Sequence, residues 1–215
     1  MASTTTTAKA ALRTAALLVR RPLITDAPTP FAAAYYDYHA GLRASHSRTV
    51  VPDFWTKKGA TGGNDDARGI QRAEPAPRET DADAANDVKA LHRKLDQSLL
   101  LVVKRARNDK LWALPTTDVA PEEPLHEAAR RSITSSLGSN LEFWMVGRVP
   151  VGLAQSSDAS SKTFYHKAQI LAGQVQTAEA AAKGNDAVAD FAWVTKQELP
   201  AYLGEEAARD VAELL

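Results

Sequence analysis

WALPTTDVAPEEPLHEAARRSITSSLG, residues 112–138, is the stretch whose reading decides the fold. Its second half repeats apolar side chains at helical spacing, with Leu125, Ala129, Ile133 and Leu137 on one stripe. Pro124 suits the start of that helix, because the N–H it lacks has no partner in a first turn anyway. Gly138 suits its end, because glycine accepts the left-handed backbone that closes many helices. Ahead of the helix, Trp112 and Leu114 form a short extended piece.

Working outward, Leu99, Leu100, Leu101, Val102 and Val103 form an unbroken apolar run, the pattern of a strand covered on both faces. Upstream of it, Val88, Leu91 and Leu95 recur at helical spacing and predict a helix entering that strand. Asn108 and Asp109 supply a turn. Downstream, residues 143–151 and 163–171 read as strands, the second with Phe164, His166, Ala168 and Ile170 on one face. A polar, Ala-rich loop follows over 174–187. Residues 191–194 read as a last strand and 196–203 and 205–214 as closing helices. Helices interleaved with strands in this order predict an α/β fold, a mixed sheet with helices packed on it.

The N-terminus has a different composition. The first acidic residue is Asp26, and Lys9, Arg13, Arg20 and Arg21 precede it among Ser, Thr and Ala. That is the composition of a mitochondrial transit peptide, shared by a plastid address and by a slightly basic disordered tail, and a helix would place Lys9, Arg13 and Arg20 on one face. The expected organisation is therefore an address over 1–25, an aromatic-rich extension and linker over 26–87, and a domain over 88–215. The extension carries Phe31, Tyr35, Tyr36, Tyr38, Phe54 and Trp55, side chains that are costly to leave in water, so it is expected to pack on the domain or on a partner. Gly59, Gly62, Gly63, Gly69, Pro75 and Pro77 break regular structure in the linker.

Composition narrows the function. Apolar residues make up 44% and charged residues 24%, which allows a sizeable core. The chain has no cysteine, so disulfides and thiolate metal sites are excluded. No apolar run is long enough for a membrane span. The net charge is zero, unlike that of a free-standing nucleic-acid binder. Positive charge is local: residues 89–115 carry 7 basic and 2 acidic side chains, a net of +5. Lys89, Arg93, Lys94, Lys104, Arg105, Arg107 and Lys110 form this patch, a candidate contact for phosphates or an acidic partner. Lys57 and Lys58 beside Trp55 are a second candidate, by charge and stacking.

The opening stretch resembles a Nudix box, G-x(5)-E-x(7)-R-E-U-x-E-E-x-G-U with U aliphatic, behind a W-x-L-P lead-in. Trp112, Leu114 and Pro115 match the lead-in. Glu123, Arg131, Ile133 and Gly138 match the box without a gap. The resemblance implies a Nudix-like α/β/α sandwich, a mixed sheet between helices, with an extended N-terminal segment. It also implies that the box glutamates would bind a divalent metal beside a diphosphate. Here those positions are Ser132, Ser135 and Ser136, and the paired glycines before the box are Thr116 and Thr117. Neutral hydroxyls do not replace carboxylates for a hard cation such as Mg²⁺, so no metal, cofactor or catalytic residue is expected. Glu123 and Arg131 are expected to be structural.

Three further passages resemble the family of mitochondrial large-subunit ribosomal proteins numbered forty-six: VPDFWTKKG at 51–59, VKALHRKLDQSLLLVVKR at 88–105, and FWMVGRVPVG with SKTFYHKAQILAG at 143–152 and 161–173. That resemblance implies a structural part in the central protuberance of the mitochondrial large subunit, in the matrix. Its partners would be other large-subunit ribosomal proteins with limited ribosomal RNA contact, and no small-molecule substrate. Two alternatives stand beside it. One is a nucleoside diphosphate-derivative hydrolase using Glu122 and Glu127 as relocated ligands. The other is a metal-free nucleotide-binding module.

Overall fold

The structure, a computed structural model, describes residues 11–47, 76–105, 111–155, 161–175 and 188–215. The chain divides into two compact units, one formed by residues 1–25 with 79–215 and the other by residues 26–78. In the first unit, eight strands make one mixed sheet: β1 (Ala11–Arg20), β2 (Leu99–Arg105), β3 (Trp112–Ala113), β4 (Thr116–Asp118), β5 (Glu142–Met145), β6 (Gly152–Gln155), β7 (Ser161–Ala172) and β8 (Val188–Thr195). The backbone of the sheet runs β3–β2–β1–β7–β5, with β4 also on β1, β6 on β7 and β8 on β2. Among the described residues, only β1 and β7 run parallel.

Each long strand feeds two cores, one per face, because successive side chains point to opposite sides of a sheet. Leu18, Leu99, Leu101, Val103, Ala168 and Trp193 face one core, which Ile133 and Leu137 close from α3 (Leu125–Leu137). Leu17, Val19, Leu100, Val102, Ala192 and Val194 face the other. Leu199 of α4 (Leu199–Leu203) and Ala208 and Val211 of α5 (Glu205–Leu214) close it. Helices on both faces of a mixed sheet make the α/β/α sandwich, and the apolar run at 99–103 is the doubly covered strand its composition predicted.

The N-terminal reading is corrected. Residues 11–20 are not a helix with a basic face but β1, a central strand, buried from Thr14 through Arg20. One edge of β1 pairs with β7 over nine positions, from Ala11↔Ser161 to Val19↔Gln169. The other edge pairs with β4 near Arg13 and with β2 near Val19. Leu17, Leu18 and Val19 each contribute roughly 1.5–3 kcal/mol by burial, against a total stability of about 5–15 kcal/mol for a typical domain. The domain boundary at residue 88 therefore falls inside the fold, which takes in β1 and the short helix α2 (Asp81–Ala84).

Smaller differences follow from tertiary pairing. Residues 88–95 form turns rather than a helix, and Lys94 takes a left-handed backbone with φ 41°. The strand expected over 143–151 ends at Met145, and chain pairing resumes as β6. In the second unit, α1 (Pro30–His46) is a helix capped by the Thr29 hydroxyl, which accepts from the Ala32 N–H at 3.3 Å. Phe31, Tyr35, Tyr38 and Leu42 are exposed on it and recur every three to four residues, hence on one side.

Candidate functional site

The box loop is held by the strand that the sequence hid. β4, which contains the two positions where a Nudix box carries glycines, is a strand on β1 with Thr117 opposite Thr14 and Asp118 opposite Arg13. The Val119 N–H then donates to the Leu12 carbonyl at 3.1 Å. Thr116 and Thr117 thus occupy extended backbone, which β-branched residues favour, rather than a glycine-dependent loop.

From there the chain turns through residues 120–124, with Glu122 at φ 67°. The Glu123 carboxylate closes the turn by accepting from the Ala120 N–H at 3.1 Å. It also accepts from Arg131 Nε at 3.0 Å and Nη2 at 2.8 Å, a two-pronged pair between the loop and α3. Arg131 donates further to the Asp118 carbonyl at 3.0 Å. The Arg131 hydrogen bond is the main reason the Glu123 carboxyl lies below the usual carboxylate range. Both groups are committed to holding the loop on the helix.

The three serines do not form a polar cage. Ser132 and Ser136 are buried, and Ser135 is exposed. The Ser132 hydroxyl donates to the Ala129 carbonyl at 2.8 Å and that of Ser135 to the Ser132 carbonyl at 3.3 Å, so both turn back onto their own helix. Gly138 ends α3 at φ 87°, as its position predicted. A cleft of about 560 Å³ opens beside the loop, lined by Leu12, Val119, Pro121, Glu122, Glu123 and Phe164 among others. Its walls are mostly apolar. Glu122 and Glu127 are exposed, and among the described residues no group of three or more His, Asp or Glu side chains is placed to hold a metal.

Among the described residues of the basic patch, Lys89, Arg93 and Arg105 have partners within the chain. Arg93 is 1% exposed and is not a surface residue, which corrects its place among the candidate contacts. Its Nη1 donates to the Trp193 carbonyl at 2.8 Å, and its two terminal nitrogens grip Glu198 at 3.0 and 2.7 Å. Burial pushes the Glu198 carboxyl up, but the Arg93 hydrogen bond, the Thr195 N–H and the Arg93 charge outweigh it and hold it low. Lys89 pairs with Asp190 at 2.8 Å and lies 5.9 Å over the Phe191 ring. Arg105 donates to the Thr116 carbonyl. Lys94 is exposed and Lys104 half-buried. Lys57, Lys58, Arg107 and Lys110 lie outside the described residues.

Sequence reasoning missed the burial of Arg20, whereas the isolated His126 and His166 read as structural. Arg20, counted as an address cation, is buried and donates to the carbonyls of Lys94 and Gln97 at 2.7 and 2.6 Å. His166 is fully buried with neither ring nitrogen hydrogen-bonded, and burial, with repulsion from His126, lowers its pKa. The run Leu17, Leu18, Val19 was the available signal for β1, the same doubly apolar pattern that marked β2.

A family model described as 39S mitochondrial ribosomal protein L46 matches residues 10–66, a match that starts one residue before β1. The chain is similar to the large ribosomal subunit protein mL46 of Neurospora crassa, 39% identical over 148 residues, covering 62% of this chain and 39% of that protein. It is similar to mL46 of Rattus norvegicus, 36% identical over 140 residues, covering 60% of this chain and 48% of that protein. The chain therefore spans less than half the length of each of these two relatives. It is also similar to a solved Nudix hydrolase from Nitrosomonas europaea, 10% identical, covering 96% of this chain and 88% of that one with a TM-score of 0.43.

Proposed function

We propose that this chain, related in sequence to the mitochondrial large ribosomal subunit protein mL46, is a structural constituent of the mitochondrial large ribosomal subunit and carries out no nucleotide chemistry. It works in the matrix, in the central protuberance, and is held mainly by other large-subunit ribosomal proteins.

The observation that carries the non-catalytic part is the state of α3. The glutamate–arginine pair that fixes the loop is kept, at 2.8 Å. The metal-binding positions hold Ser132, Ser135 and Ser136, two of them hydrogen-bonded to their own helix. A fold kept without its anions supports a scaffold rather than an enzyme. The exposed stripe Phe31, Tyr35, Tyr38 and Leu42 on α1 supports protein partners, since aromatic side chains at this spacing are the anchors of a helix laid in an apolar groove. Among the described residues of the basic patch, the exposed Lys94 and the half-buried Lys104 are assigned the limited ribosomal RNA contact.

Two measurements test this reading. Quantitative mass spectrometry across a sucrose gradient of mitochondrial ribosomes is expected to find the chain at unit ratio to other large-subunit proteins. Purified protein with Mg²⁺ or Mn²⁺ and a panel of nucleoside diphosphate derivatives is expected to release no product. Absence from the large subunit, or turnover of a pyrophosphate bond, overturns the proposal.

A further inference from the structure

The segment whose composition marks it as a removable address is the central strand of the sheet. β1 has both edges paired, with β7 on one side and β4 and β2 on the other. Both of its faces are covered, Ala16 and Leu18 in one core and Ala15, Leu17 and Val19 in the other. Its two arginines are structural. Arg13 Nε donates to Asp118 at 2.9 Å and so ties β1 to the box strand. Arg20 donates to two carbonyls of the loop that leads into β2.

We propose that proteolytic maturation of this chain stops upstream of Ala11, so that the arginine-bearing segment is retained and serves as the central strand of the mature protein. A cut near residue 25 would strip β7, β4 and β2 of their shared hydrogen-bonding partner. It would also open both cores along their midline, and buried backbone groups left without partners are not tolerated in a native fold. A matrix protease meets the chain unfolded, when the basic, acid-free stretch is accessible. Retention therefore requires that the bond cut, wherever the translated chain starts, precede Ala11.

The test uses full-length protein carrying a C-terminal tag, captured from whole cells, so its outcome does not depend on the ribosomal assignment. Terminal-amine labelling and mass spectrometry read the mature N-terminus. Isotope-labelled standards quantify the tryptic peptide of residues 14–20 against that of residues 132–148. The expected result is an N-terminus at or before Ala11 and a ratio of the two peptides near one. A principal N-terminus downstream of Ala11, with the 14–20 peptide depleted several-fold, overturns the proposal. As a second readout, a chain beginning at Ala11 is expected to melt cooperatively and one beginning at Asp26 is not. Equal cooperative melting of the two also overturns it.

Discussion

Arg93 and Glu198, 105 residues apart, form a two-pronged ion pair in which the guanidinium is 2% and the carboxylate 34% exposed. The pair joins the turns before β2 to the end of β8, and Glu198 also accepts from the Thr195 N–H at 2.9 Å. Removing one partner leaves the other charge stranded in a poorly solvated place. Arg93→Leu is therefore expected to destabilise the domain by the lower part of about 3–5 kcal/mol, since Glu198 keeps some access to water. Denaturant unfolding of R93L checks this, and a loss under 1 kcal/mol would remove the pair from the account.

The same pair has a pH signature. Glu198 sits below its ordinary value when folded, so the folded state binds fewer protons than the unfolded one in acid. Its contribution is complete above the unfolded value near 4.5 and is lost as pH falls through the folded value. Glu198→Gln is expected to flatten the loss of Tm below pH 4.5 relative to the parent, measured by thermal melts from pH 3 to 7.

His166 titrates in the opposite setting. Its folded value is lowered by burial and by His126, so the unfolded state binds more protons once pH falls below the ordinary histidine value of 6.5. Stability is then lost progressively from that point until the folded value is passed. His166→Leu also removes two nitrogens that have no hydrogen-bond partner. It is expected to leave Tm at pH 7.5 unchanged or higher and to reduce the fall between pH 7 and 5. A steeper fall in H166L would contradict this.

Restoring carboxylates to α3 is expected to harm the fold rather than revive an activity. Ser132 and Ser136 are buried, and an unpaired charge there meets a large desolvation penalty. The triple variant Ser132→Glu, Ser135→Glu, Ser136→Glu is expected to melt well below the parent at pH 7.5. It should regain part of the loss near pH 5, where raised glutamates are neutral, and Ser135→Glu alone should be close to silent. Unchanged stability of the triple variant, with Mg²⁺ raising its Tm, would mean that the metal cavity had survived.

Gly173, just past β7, combines φ +90° with a close approach: a Cβ there would clash with the Asn140 carbonyl oxygen. Both the backbone sign and the clash with a main-chain atom oppose a side chain. Gly173→Ala is expected to cost at least about 1–3 kcal/mol. Gly41→Ala in α1, where nothing lies within 4 Å, is expected to cost nothing. Equal melts for G173A and the parent would show that the turn yields.

Much of the architecture was legible in local pattern. The stripe Leu125, Ala129, Ile133, Leu137 and the terminal Gly138 gave α3, because helical periodicity and a left-handed stop are written in neighbouring residues. The spacing of Glu123 and Arg131 within the box was legible in the same way, and so was the absence of carboxylates at 132, 135 and 136. What the stretch 11–20 would become was not legible. Its alanines and arginines suit a basic helix as well as a strand, and its partners lie in β7, about 150 residues away. Likewise, Arg93 reads as one more surface cation until Glu198 and the Trp193 carbonyl are brought around it. Residue type and spacing settled which elements exist and which anions are missing. Only the assembled sheet decided which cations are buried, because burial is set by partners distant in the chain, and a guanidinium carries the same charge in water as between two strands.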